Sequence, residues 1–162
     1  MRILVLADSH RDRSNMRLAI KKHPDIESVV FLGDGVDDFD SCNELLKGKH
    51  VYAVKGNNDF YCEYPENMII TKNGTKIYIT HGHKEHVKYG LTRLWLAANE
   101  SGCALALYGH THIQKAEYTD GIYLFCPGSL RSGEYGIVDV TDKGIMCIEM
   151  NVHGKRNGYD SF

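Results

Sequence analysis

The chain has 162 residues, of which 43% are apolar and 25% charged, and 19 Lys and Arg against 21 Asp and Glu leave a formal net charge of −2. This composition is typical of a globular chain and excludes a disordered one, and the length predicts a single domain over residues 1–162. The nearly neutral balance argues against bulk nucleic-acid binding, which needs a basic face. No apolar run approaches the roughly 18 residues of a transmembrane helix, and no signal-peptide pattern precedes the domain, so we expect no membrane association.

The cysteines indicate a reducing compartment. There are five, an odd number, with no CxxC spacing: Cys42, Cys62, Cys103, Cys126 and Cys147. Two of them, Cys126 and Cys147, lie in apolar runs. We interpret the five as buried reduced thiols, because disulfides persist in oxidising compartments, and we expect a cytoplasmic location.

Three apolar runs in the first half of the chain predict parallel strands that are covered on both faces. They are Ile3–Ala7, Val29–Leu32 and Val51–Val54. The segments between the runs predict helices. Ser14 is expected to cap the first helix, which runs to about Lys22, and the second is expected over about Val36 to Lys47, with Gly48 as its stop.

The second half of the chain changes to a pattern that predicts hairpins and one helix. Asn73-Gly74, a strong hairpin signal, lies between the expected strands Met68–Thr71 and Lys76–Thr80. The helix closes at Gly102, and its apolar residues recur at helical spacing. These residues are Leu91, Leu94, Trp95 and Ala98. The remaining expected strands are Ala104–Tyr108, Ala116–Thr119, Ile122–Phe125, Ile137–Val140 and Ile145–Met150, of which the last four suit antiparallel hairpins.

The whole pattern predicts an α/β fold with about ten strands and three helices, arranged as two packed sheets flanked by helices. The polar tail from Asn151 to Phe162 is expected to be either loosely held or pinned by Tyr159 and Phe162. Short edge strands and the hydrophobic second half are compatible with a homo-oligomer, although no apolar stripe proves one.

Polar groups follow five of the predicted strands at their carboxyl ends. They are Asp8-Ser9-His10, Gly33-Asp34-Gly35, Gly56-Asn57-Asn58-Asp59, His81-Gly82-His83 and Gly109-His110-Thr111-His112. Taken singly, each group is typical of a turn, a helix cap or a loop histidine. Ligands of α/β sheets bind outside the carboxyl ends of strands, and five coincidences of this kind favour one shared site.

The side chains at these strand ends have the chemistry of metal ligands. Carboxylate, imidazole and carboxamide groups without thiolate suit Mn, Fe, Zn or Ni. The candidate ligands are Asp8, His10, Asp34, Asn57, His81, His110 and His112. Seven ligands are too many for one ion but suit two ions that share a carboxylate. Such a pair, roughly 3.5–4 Å apart, would attract an anionic phosphate and lower the pKa of a shared water.

In their order along the chain, these motifs resemble the calcineurin-like metallophosphoesterase superfamily. The matching elements are Asp8-x-His10, Gly33-Asp34, Gly56-Asn57-x-Asp59, His81-Gly82-His83 and Gly109-His110-Thr111-His112. The short length and Cys126-Pro127-Gly128-Ser129 are similar to the small YfcE-type phosphodiesterases. The resemblance implies a four-layer αββα sandwich of two mixed β-sheets flanked by helices, with a dinuclear site.

The resemblance also implies how the site works. The implied ligands are Asp8, His10 and His112 for one ion and Asn57, His81 and His110 for the other. Asp34 would bridge the two ions, and a metal-bridging hydroxide would attack phosphorus. Members of this family commonly take Mn, and Ni, Fe and Zn also occur.

One position departs from the family pattern. Many of the superfamily's phosphatases have His after the motif Asn, where it stabilises the transition state or protonates the leaving group; here that residue is Asn58. An amide cannot act as a general acid at neutral pH, although it can donate a hydrogen bond to phosphate. We expect Asp34, Asn57, Asn58 and His81 to be the catalytic residues, and His83 or a metal-bound water to protonate the leaving group.

Five further residues are candidates for supporting roles. Asp59 is expected to orient a ligand or its loop. Arg131 is the best cationic candidate for a phosphate contact, although a solvated loop charge is the slightly favoured alternative. Tyr61, Tyr64 and His86 either line a substrate groove or cover the edge of the core.

The leading interpretation is a metal-dependent phosphodiesterase that acts on small or nucleotide-like phosphodiesters, with cyclic nucleotides, dinucleotides and nucleic-acid ends all compatible. The alternative from another class is a protein-binding scaffold similar to Vps29, which resembles this fold. Scaffolds of that kind have degraded metal ligands, whereas all seven positions are filled here. A phosphomonoesterase is a third possibility, disfavoured by Asn58 and by the scarcity of long insertions.

Overall fold

A computed structural model describes residues 1–154 and arranges their strands in two five-stranded sheets. The strands are β1 (Arg2–Leu6), β2 (Ser28–Phe31), β3 (His50–Ala53), β4 (Asn67–Lys72), β5 (Thr75–Thr80), β6 (Leu105–Leu107), β7 (Gln114–Thr119), β8 (Ile122–Pro127), β9 (Glu134–Thr141) and β10 (Gly144–Asn151). The helices are α1 (Arg13–Lys22), α2 (Val36–Asp40), α3 (Asn43–Leu46) and α4 (Thr92–Glu100). Two short 3₁₀ turns, Val87–Tyr89 and Leu130–Ser132, complete the described elements.

Both sheets are mixed. The first has the strand order β10-β9-β1-β2-β3, with β1, β2 and β3 parallel and β9 antiparallel to both of its neighbours. The second has the order β4-β5-β6-β8-β7, with β5, β6 and β8 parallel and the two outer strands antiparallel. Parallel neighbours end at the same edge of a sheet, so the loops that follow them lie side by side.

The alternation of side chains along β1 explains the layered core. Successive strand residues point to opposite faces. Ile3 and Val5 therefore pack between the two sheets, while Leu4 and Leu6 pack on the outer face that α1 to α3 cover. A separate cluster around Leu94 and Ala98 fills the space between α4 and the second sheet. These layers confirm the predicted four-layer αββα sandwich.

The first helix begins earlier than predicted. Asp12, not Ser14, caps α1, because its carboxylate accepts the backbone N–H of Asn15 at 2.9 Å and the Asn15 side-chain amide at 3.0 Å. One charge-assisted bond satisfies a backbone N–H of the helix terminus and the other fixes the Asn15 side chain, whereas a hydroxyl would accept only one such bond.

The second predicted helix, over residues 36–47, is divided into α2 and α3, so the described chain has four α-helices rather than three. The break falls at Ser41 and Cys42. The Ser41 hydroxyl donates to the backbone carbonyl of Asp38 at 2.6 Å, and the Asp-rich sequence before it has low helix propensity.

Four smaller predictions concern the hairpin turn, the cysteines, membrane-crossing helices and the C-terminal tail. The Asn73-Gly74 hairpin forms as predicted, with φ of 49° and 74° at the two turn residues. All five cysteines are free; three are buried, whereas Cys62 and Cys147 are only half-buried. Within residues 1–154, no helix combines the length and the apolar character that a membrane crossing requires. The predicted anchors Tyr159 and Phe162 lie outside the described residues.

Candidate metal centre

The loops after β1, β2, β3, β5 and β6 bring the predicted ligands together. Six of them form two groups in which the ligand atoms all lie within 4.8 Å of one another. The first group is Asp8, His10 and His112, and the second is Asp34, His81 and His110. Each group combines residues from both sheets, so the packing of the sheets assembles the site.

In the first group, two imidazoles converge on one carboxylate oxygen. The Oδ1 atom of the buried Asp8 lies 3.1 Å from His112 Nε2 and 3.5 Å from His10 Nε2. The two imidazole nitrogens face each other at 3.0 Å. A proton or a cation must separate two nitrogen lone pairs at such a distance, and carboxylate with imidazole is a ligand set for divalent transition metals.

In the second group, the orientation of His81 is fixed by the protein. Its Nδ1–H donates to the carbonyl of Leu32 at 2.7 Å, which leaves Nε2 free to bind a cation. That Nε2 lies 3.1 Å from Asn57 Oδ1, 3.2 Å from His110 Nδ1 and 3.5 Å from Asp34 Oδ2. The seventh candidate ligand, Asn57, therefore joins this group.

The Asp34 carboxylate lies between the two groups. Its Oδ2 atom is 3.5 Å from His81 Nε2 and 3.8 Å from His10 Nε2. The Asp34 carboxylate is therefore within reach of a cation bound by either group. This location is the one expected of a bridging ligand.

The backbone of the site is strained. Five of the seven candidate ligands have positive φ: Asp8 (52°), His10 (43°), Asp34 (58°), His110 (69°) and His112 (58°). Each such conformation costs about 1–3 kcal/mol for a residue with a side chain, and such strain is concentrated at functional sites. The strain is therefore consistent with a constellation selected for its geometry.

Two glycines allow the loops to approach this closely. A Cβ at Gly109 would lie 2.8 Å from Asp8 Oδ2, and a Cβ at Gly56 would collide with the Asp34 carboxylate. Neither position leaves room for a side chain. The glycines of these motifs thus serve close approach rather than turn formation alone.

The electrostatics of the site favour ionised carboxylates. Burial opposes the charge on Asp8 and Asp34, but hydrogen bonds to imidazoles outweigh it, so both pKa values lie below the usual range. The hydrogen bond with Asp8 raises the pKa of His10, and the carboxylates raise that of His81 despite its burial. Burial, followed by the charge of His81, lowers the pKa of His110 to about 4. Two buried carboxylates of this kind require neighbouring positive charge, which divalent cations supply.

Asp59 braces the loops, in keeping with its expected role. Its carboxylate accepts the backbone N–H groups of Asp34 and Gly56 at 2.7 Å, of Gly35 at 2.9 Å and of Val36 at 3.0 Å. Four donors on one carboxylate hold the β2 and β3 loops in a single arrangement.

Sequence reasoning missed two comparable braces. The buried Asp38 accepts the Ser9 hydroxyl at 2.7 Å and the Arg11 backbone N–H at 2.8 Å, and Ser129 donates its hydroxyl to the Asp8 carbonyl at 2.7 Å. Nothing in the run Val36-Asp37-Asp38-Phe39-Asp40 distinguishes Asp38 from its neighbours. Only its helical position next to the β1 loop does so.

The three other candidates for a substrate groove lie in different places. Tyr64 donates its hydroxyl to Asp40 at 2.7 Å and packs on the outer core, so it covers the core edge instead of lining a groove. Tyr61 is fully exposed on the loop that follows Asp59. His86 lines a cavity with Tyr89 and Arg93, apart from the ligand groups.

Two cationic or basic candidates lie closer to the ligands. The backbone N–H of Arg131 donates to the Asp8 carbonyl at 3.3 Å, and its side chain is exposed. The ring of His83 lies 5.4 Å from that of His81 and 6.2 Å from that of His110. Burial lowers the pKa of His83, whose Nδ1 atom is buried without a hydrogen-bond partner among the described residues.

The sequence matches the family model of the calcineurin-like phosphoesterase superfamily domain over residues 1–143. The chain belongs to the calcineurin-like phosphoesterase superfamily. Among relatives, a probable metallophosphoesterase of Bacillus subtilis, YsnB, is 30% identical over 132 residues, which is 81% of this chain and 76% of YsnB. Phosphodiesterase MJ0936 of Methanocaldococcus jannaschii is 29% identical over 79% of this chain and 83% of its own length.

Solved structures support the same family. A conserved Streptococcus pneumoniae protein, described as a predicted phosphoesterase, superposes with a TM-score of 0.82 at 29% identity, covering 95% of this chain and 91% of that protein. Vps29 proteins also share the fold, among them the zinc complex from Entamoeba histolytica, with a TM-score of 0.72 at 20% identity over 94% of this chain and 99% of Vps29. At 20% identity, the likeness to Vps29 shows a shared fold and nothing about function.

Proposed function

We propose that this protein is a metal-dependent phosphodiesterase that hydrolyses small or nucleotide-like phosphodiesters. The observation that carries the proposal is the position of Asp34, a buried carboxylate within 3.8 Å of imidazole nitrogens from both ligand groups. The naming of MJ0936 as a phosphodiesterase supports the diester over the monoester. The proposed site comprises all seven predicted ligands.

We assign two divalent cations to this site, with Mn preferred and Ni, Fe or Zn as alternatives, because carboxylate, imidazole and amide donors suit these ions. Two bound cations would neutralise the phosphate and lower the pKa of a shared water. The protein's own contribution is orientation. Asp34 lies where it can bind both cations, while His81 and Asn57 direct their donor atoms to the second cation.

Asn58 has two roles in this proposal. Its backbone N–H and its side-chain amide donate to the two oxygens of Asp34 at 2.9 and 2.7 Å, so it fixes the bridging carboxylate. The second N–H of the amide group is assigned to a phosphate oxygen. Because an amide donates a hydrogen bond but does not release a proton, the proton for the leaving group has to come from another donor.

Hydrolysis adds a water oxygen to phosphorus and breaks one P–O ester bond, which releases an alcohol and a phosphomonoester. The departing oxygen needs a proton from His83 or from water. The lowered pKa of His83 keeps its imidazole neutral at pH 7, which favours water as the donor.

The proposal is tested with protein stripped by a chelator and assayed on bis(p-nitrophenyl) phosphate, with and without added Mn. We expect turnover that disappears on stripping and returns with Mn. Metal analysis of protein purified without added metal identifies the native ion. A stripped sample that Mn does not restore, or that never hydrolyses the diester, would contradict the proposal.

The two alternatives give different results in the same assays. A phosphomonoesterase would hydrolyse p-nitrophenyl phosphate faster than the bis-ester, and we expect the reverse order. A Vps29-like scaffold would hydrolyse neither substrate. The shared fold favours that scaffold no more than an enzyme, whereas seven convergent donor groups favour the enzyme.

The unbridged cysteines support the proposed cytoplasmic location.

A further inference from the structure

A groove reaches the segment that carries the candidate ligands His110 and His112. It has a volume of about 670 Å³ and runs between the segment 87–91 and the start of β7. Thr111, which separates the candidate ligands His110 and His112, forms part of its wall. A volume of this size is within the range of small-molecule sites, roughly 300–1,000 Å³. The groove is therefore a place where part of a substrate bound at the cations can extend.

One wall of the groove is apolar. Val87, Leu91 and Ile113 line it, and Ile113 has 65% of its surface exposed although it is a large aliphatic residue. Together these three side chains give the wall an apolar character next to the segment that carries His110 and His112. The wall suits the flat, weakly polar face of a nucleobase or sugar.

The groove is also lined by two positively charged residues, Lys88 and Lys115. The ammonium group of Lys115 pairs with Glu117 at 2.9 Å, so its charge is compensated within the groove. For Lys88, residues 1–154 provide no carboxylate at ion-pair distance. Lys88 lines the same groove as Thr111, which lies between the candidate ligands His110 and His112.

We propose that this groove binds a nucleoside-sized part of the substrate that carries a second phosphate, and that Lys88 contacts this phosphate. The inference rests on the proposed phosphodiesterase function and narrows its substrates to dinucleotide-like diesters. A small diester would reach the cations but leave the apolar wall and Lys88 unoccupied. A nucleotide fills both, with its base or sugar on Ile113 and its phosphate on the uncompensated cation.

The test compares thymidylyl-thymidine with the same dinucleotide phosphorylated at its 5′ or its 3′ end, using Mn-loaded full-length protein. Both phosphorylated forms are needed because either end can occupy the groove, according to which alcohol leaves. The readout is the ratio of kcat/KM with and without the terminal phosphate. We expect one of the two phosphates to raise kcat/KM about tenfold, the size of a charged contact in a partly solvated site.

The lysine variants assign this ratio to one side chain. Lys88→Ala should reduce the ratio to about one, as expected for complete loss of a single charged contact, and Lys88→Arg should keep most of it. Lys143→Ala, in the turn between β9 and β10, removes a charge of the same kind at another place and should leave the ratio unchanged.

The apolar wall is tested separately. Ile113→Asp places a negative charge where the nucleoside would pack, and it should lower kcat/KM for all dinucleotides relative to bis(p-nitrophenyl) phosphate. Ile113→Leu is the matched control and should preserve that relation.

The outcomes distinguish the two levels of the proposal. Absence of metal-dependent turnover on bis(p-nitrophenyl) phosphate would reject the phosphodiesterase function itself. Turnover of that compound, with no gain from a terminal phosphate or with a gain that survives Lys88→Ala, would overturn the assignment of the groove and leave the function standing.

Discussion

The two sheets contribute to the metal centre in different ways. Loops of the first sheet are braced within that sheet by buried carboxylates: Asp59 accepts four backbone N–H groups, and Asp38 holds the loop after β1. The second sheet has a buried carboxylate of its own, Glu85, which accepts the hydroxyls of Tyr78 and Thr80, but two of its ligand histidines also bond to the first sheet. His81 donates to the Leu32 carbonyl, and the backbone N–H of His110 donates to Asp8 Oδ2 at 3.0 Å.

This difference shows how the site is assembled. The first sheet presents Asp8, His10 and Asp34 on loops that its own carboxylates bond, with a further bond to Asp8 from Ser129, which follows β8 of the second sheet. Two histidines of the second sheet, His81 and His110, have additional hydrogen bonds to the first sheet. Preorganisation of the carboxylates and docking of the imidazoles are therefore separable by mutation.

The largest effect should come from the group that both halves share. Asp34→Asn removes the charge between the two ligand groups, and we expect kcat/KM on bis(p-nitrophenyl) phosphate to fall by about 10²–10³ or more. Asp37→Asn, an exposed residue nearby, is the control and should retain activity. Near-normal activity in the Asp34 variant would refute its bridging role.

A smaller loss should follow from weakening the main brace of the first sheet. Asp59→Asn leaves one oxygen acceptor where two are used, so we expect the apparent Mn affinity to fall by about 10–100-fold, as for residues that orient metal ligands. Titration of activity with Mn measures the change, and Glu63→Gln serves as the exposed control. Unchanged Mn affinity would show that the loops hold their shape without Asp59.

Asp38 tests whether the first sheet's loops are stable in their own right. Asp38→Asn weakens the bonds to Ser9 and Arg11 in a buried position, which should lower the free energy of unfolding by about 1–3 kcal/mol. Urea denaturation in the presence of chelator measures this without a contribution from bound metal. If the variant loses Mn affinity but no stability, the brace acts on the site alone.

The smallest effect concerns His23, in the first sheet's helical layer and remote from the ligands. Burial lowers its pKa below the usual 6.5, and its Nε2 lies 2.8 Å from the Tyr135 hydroxyl. The unfolded chain then binds more protons than the folded one below that pH, so stability is complete above about 6.5 and falls as the pH decreases.

His23→Gln should remove the pH-dependent part of the stability that His23 contributes, and should retain a hydrogen-bond partner for Tyr135. The measurement is the difference in urea midpoint between pH 7.5 and pH 5.5 for the variant and the wild type, both with chelator. The wild type should lose more stability over this interval than the variant. An equal loss would show that His23 does not contribute to the acid sensitivity.

Sequence patterns predicted most of the fold correctly because the core is repetitive. Each buried strand shows a continuous or alternating apolar run, and Asn73-Gly74 predicts its own turn. The errors fall where two local signals compete. Asp12 and Ser14 are both good helix caps, and the run from Val36 to Lys47 has helical periodicity but an unfavourable centre at Ser41.

For the site, strand-end motifs identified seven side chains that the structure brings together, whereas the braces at Asp38 and Ser129 were missed. A ligand residue is recognisable from its chemistry and its place after a strand. A brace is recognisable only from what it touches, and its partners are backbone N–H and carbonyl groups that every residue possesses.

The amino-acid sequence alone determined the strands, their buried faces and the residue types at their ends, since these depend on local propensity and hydrophobic period. Tertiary packing decided the rest. It set which imidazoles face which carboxylates, gave five ligands a left-handed backbone, and left Lys88 uncompensated beside the groove. Those features depend on distances between segments up to a hundred residues apart, such as Asp8 and His112, which no local pattern encodes.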